Sequence, residues 1–174
     1  SLQVIDHSRI RSTRMYRLEY RHVTMDFPAS KGAGTVAAIA DVNFSIADGE
    51  VVSLIGPSGC GKSTLLNIGS GLYPPTKGQT FVDGERVEGP SAHIAFMLQK
   101  DLLLPWRTIR ENVMFGVQIQ KHPRAECRRR ADDLLANFHL DEFANRYPNE
   151  LSGGMRQRVA LARTLAVDPT VLLL

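Results

Sequence analysis

Little in this chain speaks for a secreted, membrane-spanning or nucleic-acid-binding protein. It holds two cysteines, Cys60 and Cys127, too few for a disulfide framework and suited to a reducing cytosol. No apolar run approaches the length that crosses a bilayer, and no secretory pattern opens the sequence. Any attachment to a membrane is therefore expected to go through a partner. A formal net charge of +3 is too small to argue for nucleic acid. What remains is a chain of 174 residues, 43% hydrophobic and 22% charged, ordinary for a soluble domain with a substantial core.

The most informative stretch is Gly56-Pro57-Ser58-Gly59-Cys60-Gly61-Lys62-Ser63-Thr64, preceded by the apolar run Val51-Val52-Ser53-Leu54-Ile55. It fits the phosphate-binding pattern G-x-x-x-x-G-K-[ST] at every fixed position. Gly56, Gly59 and Gly61 let the loop turn back and aim successive backbone N–H groups inward. A polyphosphate fits that nest at the positive end of a helix beginning near Lys62. In such a loop Lys62 would reach the β- and γ-phosphates of a nucleotide, and the Ser63 hydroxyl would ligate Mg²⁺. Chance would supply the pattern in a chain this long less than about once in a hundred. Cys60 sits inside the loop, so a thiol reagent there is expected to block nucleotide.

Around this loop the chain alternates between two characters. Residues 1–14 are polar and basic without periodicity and read as a mobile or partly ordered arm. Met15 to Val23 alternates loosely, as an edge strand does. Pro28 to Gly34 reads as a loop. Ile39–Ile46 and Glu50–Ile55 read as strands about Asp48-Gly49, a hairpin or tight-turn signal, and a second hairpin is expected at Asp83-Gly84. Pro74-Pro75 and Gly78 stop the helix after the loop. His93 to Leu98 reads as a buried strand. From Thr108 to Ala144 the pattern is helical, broken at His122-Pro123. There Cys127, Ala131, Leu134, Leu135 and Phe138 share one face, and Arg128, Arg129 and Arg130 lie mostly on the other, a solvated surface. Leu102 to Trp106 is a compact apolar corner, either core or docking surface.

A second chemical stretch follows Pro148: Leu151-Ser152-Gly153-Gly154-Met155, leading into a helix-forming run to Arg163. Ser152 is a natural N-cap, and Gly153-Gly154 let another molecule approach the backbone. By itself this is an ordinary capped helix. With the phosphate loop upstream it is specific, for it offers a second helix N-terminus to an anion.

With these motifs the chain resembles the nucleotide-binding subunits of ATP-binding cassette (ABC) transporters over roughly Met15 to Leu174. LSGGM stands where the family's signature is usually LSGGQ. Gln99 falls where the family's Q-loop glutamine belongs, and Phe27 where an aromatic stacks on adenine. Leu-Leu-Pro-Trp at 103–106 and Met155 look like the importers of nitrate, sulfonate and taurine. The resemblance implies an α/β fold: a P-loop core, an antiparallel β subdomain and an inserted helical subdomain at about residues 100–150. It implies Lys62 and Gln99 in catalysis, Ser63 and Gln99 at Mg²⁺, and a homodimer in which one subunit's loop holds ATP. The other subunit's Leu151, Ser152, Gly153, Gly154 and Met155 close over it. Transmembrane permease subunits, indirectly a substrate-binding protein, and a peripheral place on the cytoplasmic face of the membrane follow from the same resemblance.

The run Val171-Leu172-Leu173-Leu174 looks like the start of the family's Walker B strand. The Asp and Glu that normally follow, and the switch histidine beyond, are absent, and none of the five histidines takes that role. Loss of a general base costs about 10²–10⁴-fold, so this chain by itself is expected to hydrolyse ATP poorly, to expose an apolar sheet edge and to aggregate. Ser1 in place of Met is read as a sign of an incomplete or processed chain. A non-hydrolysing nucleotide-binding module and a soluble ABC-type ATPase are the alternative readings. A small-molecule kinase sharing the loop would leave Ser152-Gly153-Gly154 unexplained. DNA-repair members usually insert a long coiled coil, for which the stretch from Thr64 to Leu151 leaves no room.

Overall fold

The computed structural model describes residues 3–5, 16–29, 34–98 and 100–174. They fall into two compact units, Ser1–Ser91 and Ala92–Leu174.

In the first unit, β1 (Gln3–Ile5) pairs antiparallel with β4 (Ser53–Ile55). A second sheet has the order β3-β2-β5-β6, built from β2 (Tyr16–Pro28), β3 (Thr35–Ala47), β5 (Lys77–Val82) and β6 (Glu85–Arg86). Leu18, Tyr20 and Val23 are buried on β2, which produces the loose alternation. The strand is nevertheless central, flanked by β3 and β5, which corrects the edge position expected from sequence. The register shifts between Tyr20 and Val23, where His22 has φ 54°, so the strand bulges and its two-residue period slips.

Asp48-Gly49 does form a tight turn, closed by the Glu50 amide donating to the Ala47 carbonyl at 3.2 Å. It does not close a hairpin. Strand β3 is zipped to β2 from Tyr16↔Ala47 to Pro28↔Thr35, and β4 takes β1 as its neighbour instead. The long β2–β3 ladder satisfies far more backbone groups than a three-residue strand could. The Asp83-Gly84 hairpin forms as expected, with both turn residues at positive φ. Of the Pro28–Gly34 loop, Pro28 ends β2, Ala29 and Gly34 are joined by a backbone bond, and 30–33 lie outside the described residues. Of the arm at 1–14, the described part is β1.

Helix α1 (Lys62–Gly69) buries Leu65 and Ile68. It stops at Gly69, ahead of Pro74, with Ser70 as its C-cap. Tyr20 ties β2 to this helix: its hydroxyl donates to the Leu65 carbonyl at 3.1 Å and its ring stacks on Phe44 at 4.7 Å. Burial pushes the Tyr20 hydroxyl pKa upward.

The second unit contains α2 (Ile109–Ile119), α3 (Arg124–Asn137), α4 (Gly153–Leu165) and the parallel pair β7 (Ile94–Phe96) and β8 (Val171–Leu173). One core runs through all three helices, from Leu103, Ile109, Val113 and Val117 through Cys127, Ala131 and Leu135 to Val159, Ala160 and Ala162. The segment at 100–150 thus shares its core with the signature helix. Arg128, Arg129 and Arg130 are ion-paired along α3 with Asp132, Glu126 and Asp133, a solvated face as the sequence suggested. The Leu102–Trp106 corner belongs to the core only in part. Leu103 is buried, whereas Leu102 and Trp106 are 52% and 72% exposed. Fully buried Asn112 holds the corner in shape: its amide donates to the Leu104, Arg107 and Thr108 carbonyls, and its oxygen accepts from the Leu104 amide at 2.7 Å.

Candidate functional site

Lys62 opens α1, and the helix has neither a side-chain cap nor an acidic residue in its first turn. Its N-cap is Gly61 at φ 97°, a conformation closed to other residues without strain. A Cβ there would stand 2.6 Å from the Ala38 carbonyl oxygen, so glycine is also what lets β3 pass beneath the turn. Gly59, at φ 80°, has open space on its Cβ side. The first-turn amides of an uncapped helix are unsatisfied and carry the positive end of its dipole. The Lys62 ammonium folds back onto the loop that precedes them, donating to the Gly56 carbonyl at 2.7 Å and the Pro57 carbonyl at 2.9 Å, with Cys60 Sγ at 3.5 Å. Those acceptors are neutral, and among the described residues no carboxylate pairs with Lys62. Ammonium, dipole and amides therefore add to one positive site.

The residues of Gly56–Thr64 lie together in the first unit, with Ser58 and Ser63 exposed and Cys60 half-buried. Phe27 is in the same unit, near the end of β2 opposite Val36, with its ring exposed. Gln99 lies outside the described residues. As to metal, no group of three or more His, Cys, Asp or Glu that could hold an ion occurs among the described residues. The donor set is instead the exposed Ser63 hydroxyl beside the amide nest. A hard cation that keeps its waters and is carried on a polyphosphate fits such a donor set, whereas an ion bound by protein ligands alone does not.

The signature residues lie in the second unit. Ser152 is the N-cap of α4, its hydroxyl accepting from the Met155 amide at 3.3 Å. Pro148 heads a short 3₁₀ turn just before it. A Cβ at Gly154 would meet nothing within 4 Å, and one at Gly153 only Arg156 Nη2 at 3.8 Å, so both backbones stand open. Leu151 is buried and anchors the turn in the core; Met155 packs against that core in part.

Sequence reasoning missed Asp101, Arg156 and Arg163. Arg156 Nε donates to Asp101 Oδ2 at 3.1 Å and its Nη1 to the Leu151 carbonyl at 2.7 Å. Arg163 donates to the Asp101 and Leu102 carbonyls at 2.7 and 2.8 Å. Burial pushes the half-buried Arg163 pKa down, against the opposing charge of Asp101. No short-range pattern announces the contacts of Arg156 and Arg163 with Asp101 and Leu102, which bridge 55 residues or more.

Comparison with known proteins follows the same lines. Residues 39–174 match the family described as ABC transporter. The sulfate/thiosulfate import ATP-binding protein CysA of Synechocystis sp. is 47% identical over 148 residues, covering 83% of this chain and 42% of that protein. The taurine import ATP-binding protein TauB of Jannaschia sp. is 44% identical over 160 residues, covering 92% of this chain and 59% of that protein. The chain thus spans about two-fifths to three-fifths of the length of these curated relatives. Among solved structures, a dimeric ATP-binding cassette in a post-hydrolysis state, bound to ADP and Pi, is similar at TM-score 0.75 and 35% identity, covering 89% of this chain and 72% of that one. With its uncapped glycine loop, its open Ser152–Gly154 turn and a family match over residues 39–174, the chain belongs to the ABC transporter family, with the α/β fold of the ATP-binding cassettes.

Proposed function

We propose that this chain is ATP-binding sequence of a subunit that energises an importer of a small molecule or anion by binding and hydrolysing ATP. The observation that carries the reading is the uncapped start of α1 with the Lys62 ammonium held on the Gly56 and Pro57 carbonyls of the same loop, uncompensated by a carboxylate among the described residues. The Gly56–Thr64 amides grip the triphosphate, Pro57 and Ser58 shape the bend, and Lys62 neutralises the β- and γ-phosphates. Mg²⁺ arrives with the nucleotide and takes the Ser63 hydroxyl, with Gln99 as its second protein contact. Phe27 stacks on the adenine.

The second half of the site comes from a second copy. Leu151 to Met155 of one subunit close over the ATP of the other, so ATP favours the closed dimer and its hydrolysis releases it. The dimeric cassette holding ADP and Pi supports this assembly. Relatives named for taurine and for sulfate or thiosulfate import support a small, anion-bearing cargo. Permease subunits in the membrane, and through them a substrate-binding protein, receive the motion. The subunit works as a peripheral protein on the cytoplasmic face. Among the described residues no helix is long and apolar enough to cross a membrane.

The test is affinity purification of the full-length protein from detergent-solubilised membranes of its own cells. Co-purification of a polytopic membrane protein is expected. Recovery with ribosomal or DNA-repair components instead would replace the importer by a soluble ATPase.

A further inference from the structure

The loop that follows Gln99 is fastened to the helix that begins at Gly153, and we propose that Asp101, through Arg156, positions the Ser152–Gly154 turn for its approach to nucleotide. The proposal rests on the reading of that turn as the clamp supplied by a second copy.

Asp101 engages α4 twice. Its carboxylate takes Arg156 in the first turn at 3.1 Å, and its main-chain oxygen takes Arg163, about two turns further along, at 2.7 Å. The other carboxylate oxygen accepts from the Leu103 amide at 3.3 Å, which fixes the direction of the side chain. Leu102, between them, is turned to φ 44°, unusual for so bulky a residue, and Arg163 holds its carbonyl. Arg156 in turn spans the two sides of the cap, reaching from Asp101 to the Leu151 carbonyl.

The electrostatics explain why a partner is needed there. Helix α4 has no acidic residue in its first turn, and Arg156 adds a cation to the positive end of the dipole. Asp101 supplies the missing anion from outside the helix. Val159, Ala160 and Ala162 set the helix in the core from its middle, whereas Ser152, Gly153 and Gly154 are exposed. The turn is held at its base by buried Leu151, by the Met155 cap bond and by the Arg156 amide donating to the Ser152 carbonyl at 3.0 Å, and the Arg156 fork is the contact that ties it to residues 100–103. A displacement of residues 100–103 is therefore passed to the amides of 152–154. Asp101 is a positioning residue: it acts through Arg156 and touches no nucleotide.

The experiment uses the purified full-length protein with two separate measurements. Affinity for MgATP is read at protein concentrations that keep it monomeric, and self-association is read by sedimentation with a non-hydrolysable ATP analogue. Loss of a partly buried charge-assisted hydrogen bond shifts an equilibrium by about tenfold, and a dimer carries two such latches. Asp101→Asn is expected to leave MgATP affinity within about twofold and to weaken dimerisation by about tenfold to a hundredfold. The charge exchange Asp101→Arg with Arg156→Asp is expected to recover most of that loss, which a generally weakened fold would not do. Should Asp101→Asn fail to fold, Arg156→Lys serves, since it keeps the charge but cannot reach Asp101 and Leu151 together. Dimerisation equal to the parent's in the single variants overturns the proposal. So does loss of MgATP affinity in step with dimerisation, or an exchange variant no better than the singles. A parent that binds MgATP but never associates overturns the clamp reading itself, and this inference with it.

Discussion

Glycine at 153 and 154 has no reason in the described residues of this chain. Both positions begin α4 with ordinary helical backbone, and an alanine methyl at 154 meets nothing within 4 Å. Glycine in a helix costs roughly 0.5–1 kcal/mol relative to alanine, less in the first turn than in the interior. Gly154→Ala should therefore stabilise the protein by about 0.5 kcal/mol, a small rise in the urea midpoint at unchanged slope. If the turn faces nucleotide held by a second copy, the same methyl sits where a phosphate must come to hydrogen-bond distance. The variant should then melt no lower than the parent and bind MgATP as a monomer with the parent's affinity. Its nucleotide-driven dimerisation should fall by at least about tenfold, the equivalent of one lost charge-assisted hydrogen bond. Chemical denaturation, calorimetry and sedimentation on one preparation give the three numbers. Unimpaired dimerisation, or destabilisation by more than about 1 kcal/mol, would refute the idea that these glycines serve an incoming molecule.

Other expectations follow from single contacts. Asn112→Leu leaves three groups, the Leu104 amide and the Leu104 and Arg107 carbonyls, without that partner. At about 1 kcal/mol each, a loss of roughly 3 kcal/mol is expected by urea unfolding, and a loss under 1 kcal/mol would contradict the role given to Asn112. Cys60 lies 3.5 Å from the Lys62 ammonium, so alkylation with a bulky maleimide should abolish MgATP binding, and saturating MgATP should protect the thiol. Equal labelling with and without nucleotide would count against the loop. The Glu111 carboxyl is held below its ordinary value of 4.5, first by the Thr108 amide and then by the Thr108 hydroxyl and the charges of Arg107 and Arg124. A depressed carboxylate stabilises the fold above its unfolded pKa and loses that contribution as pH falls through the folded one. Melting temperatures should thus start to fall near pH 4.5 and below, less steeply in Glu111→Gln; an identical slope in the variant would refute this.

Local chemistry was largely legible in the sequence, and pairing was not. The glycine loop, the Ser152 cap, the break at Pro123 and the Asp83-Gly84 hairpin each depend on residues within a few positions of one another, where turn and cap preferences act directly. The neighbours of a strand are a different matter. Alternation on β2 reports which side is buried, but an edge and a centre can alternate alike. Asp48-Gly49 announced the turn without saying whether β4 would take β3 or β1. The Thr108–Glu111 capping box that starts α2 carries a readable S/T-x-x-E signal. Asn112 reads as a polar position on a helix, and only the chain folding back at Leu104 makes it a buried hub. Asp101 and Arg156 meet across 55 residues, beyond any local rule.

The most direct test of the central claim is a calorimetric titration of MgATP into the purified protein, beside Lys62→Ala. The expected result is saturable binding by the parent, with affinity reduced by about tenfold or more in the variant once the loop's ammonium is gone. A well-folded parent that takes up no MgATP, or a variant that binds it as tightly, would contradict the account.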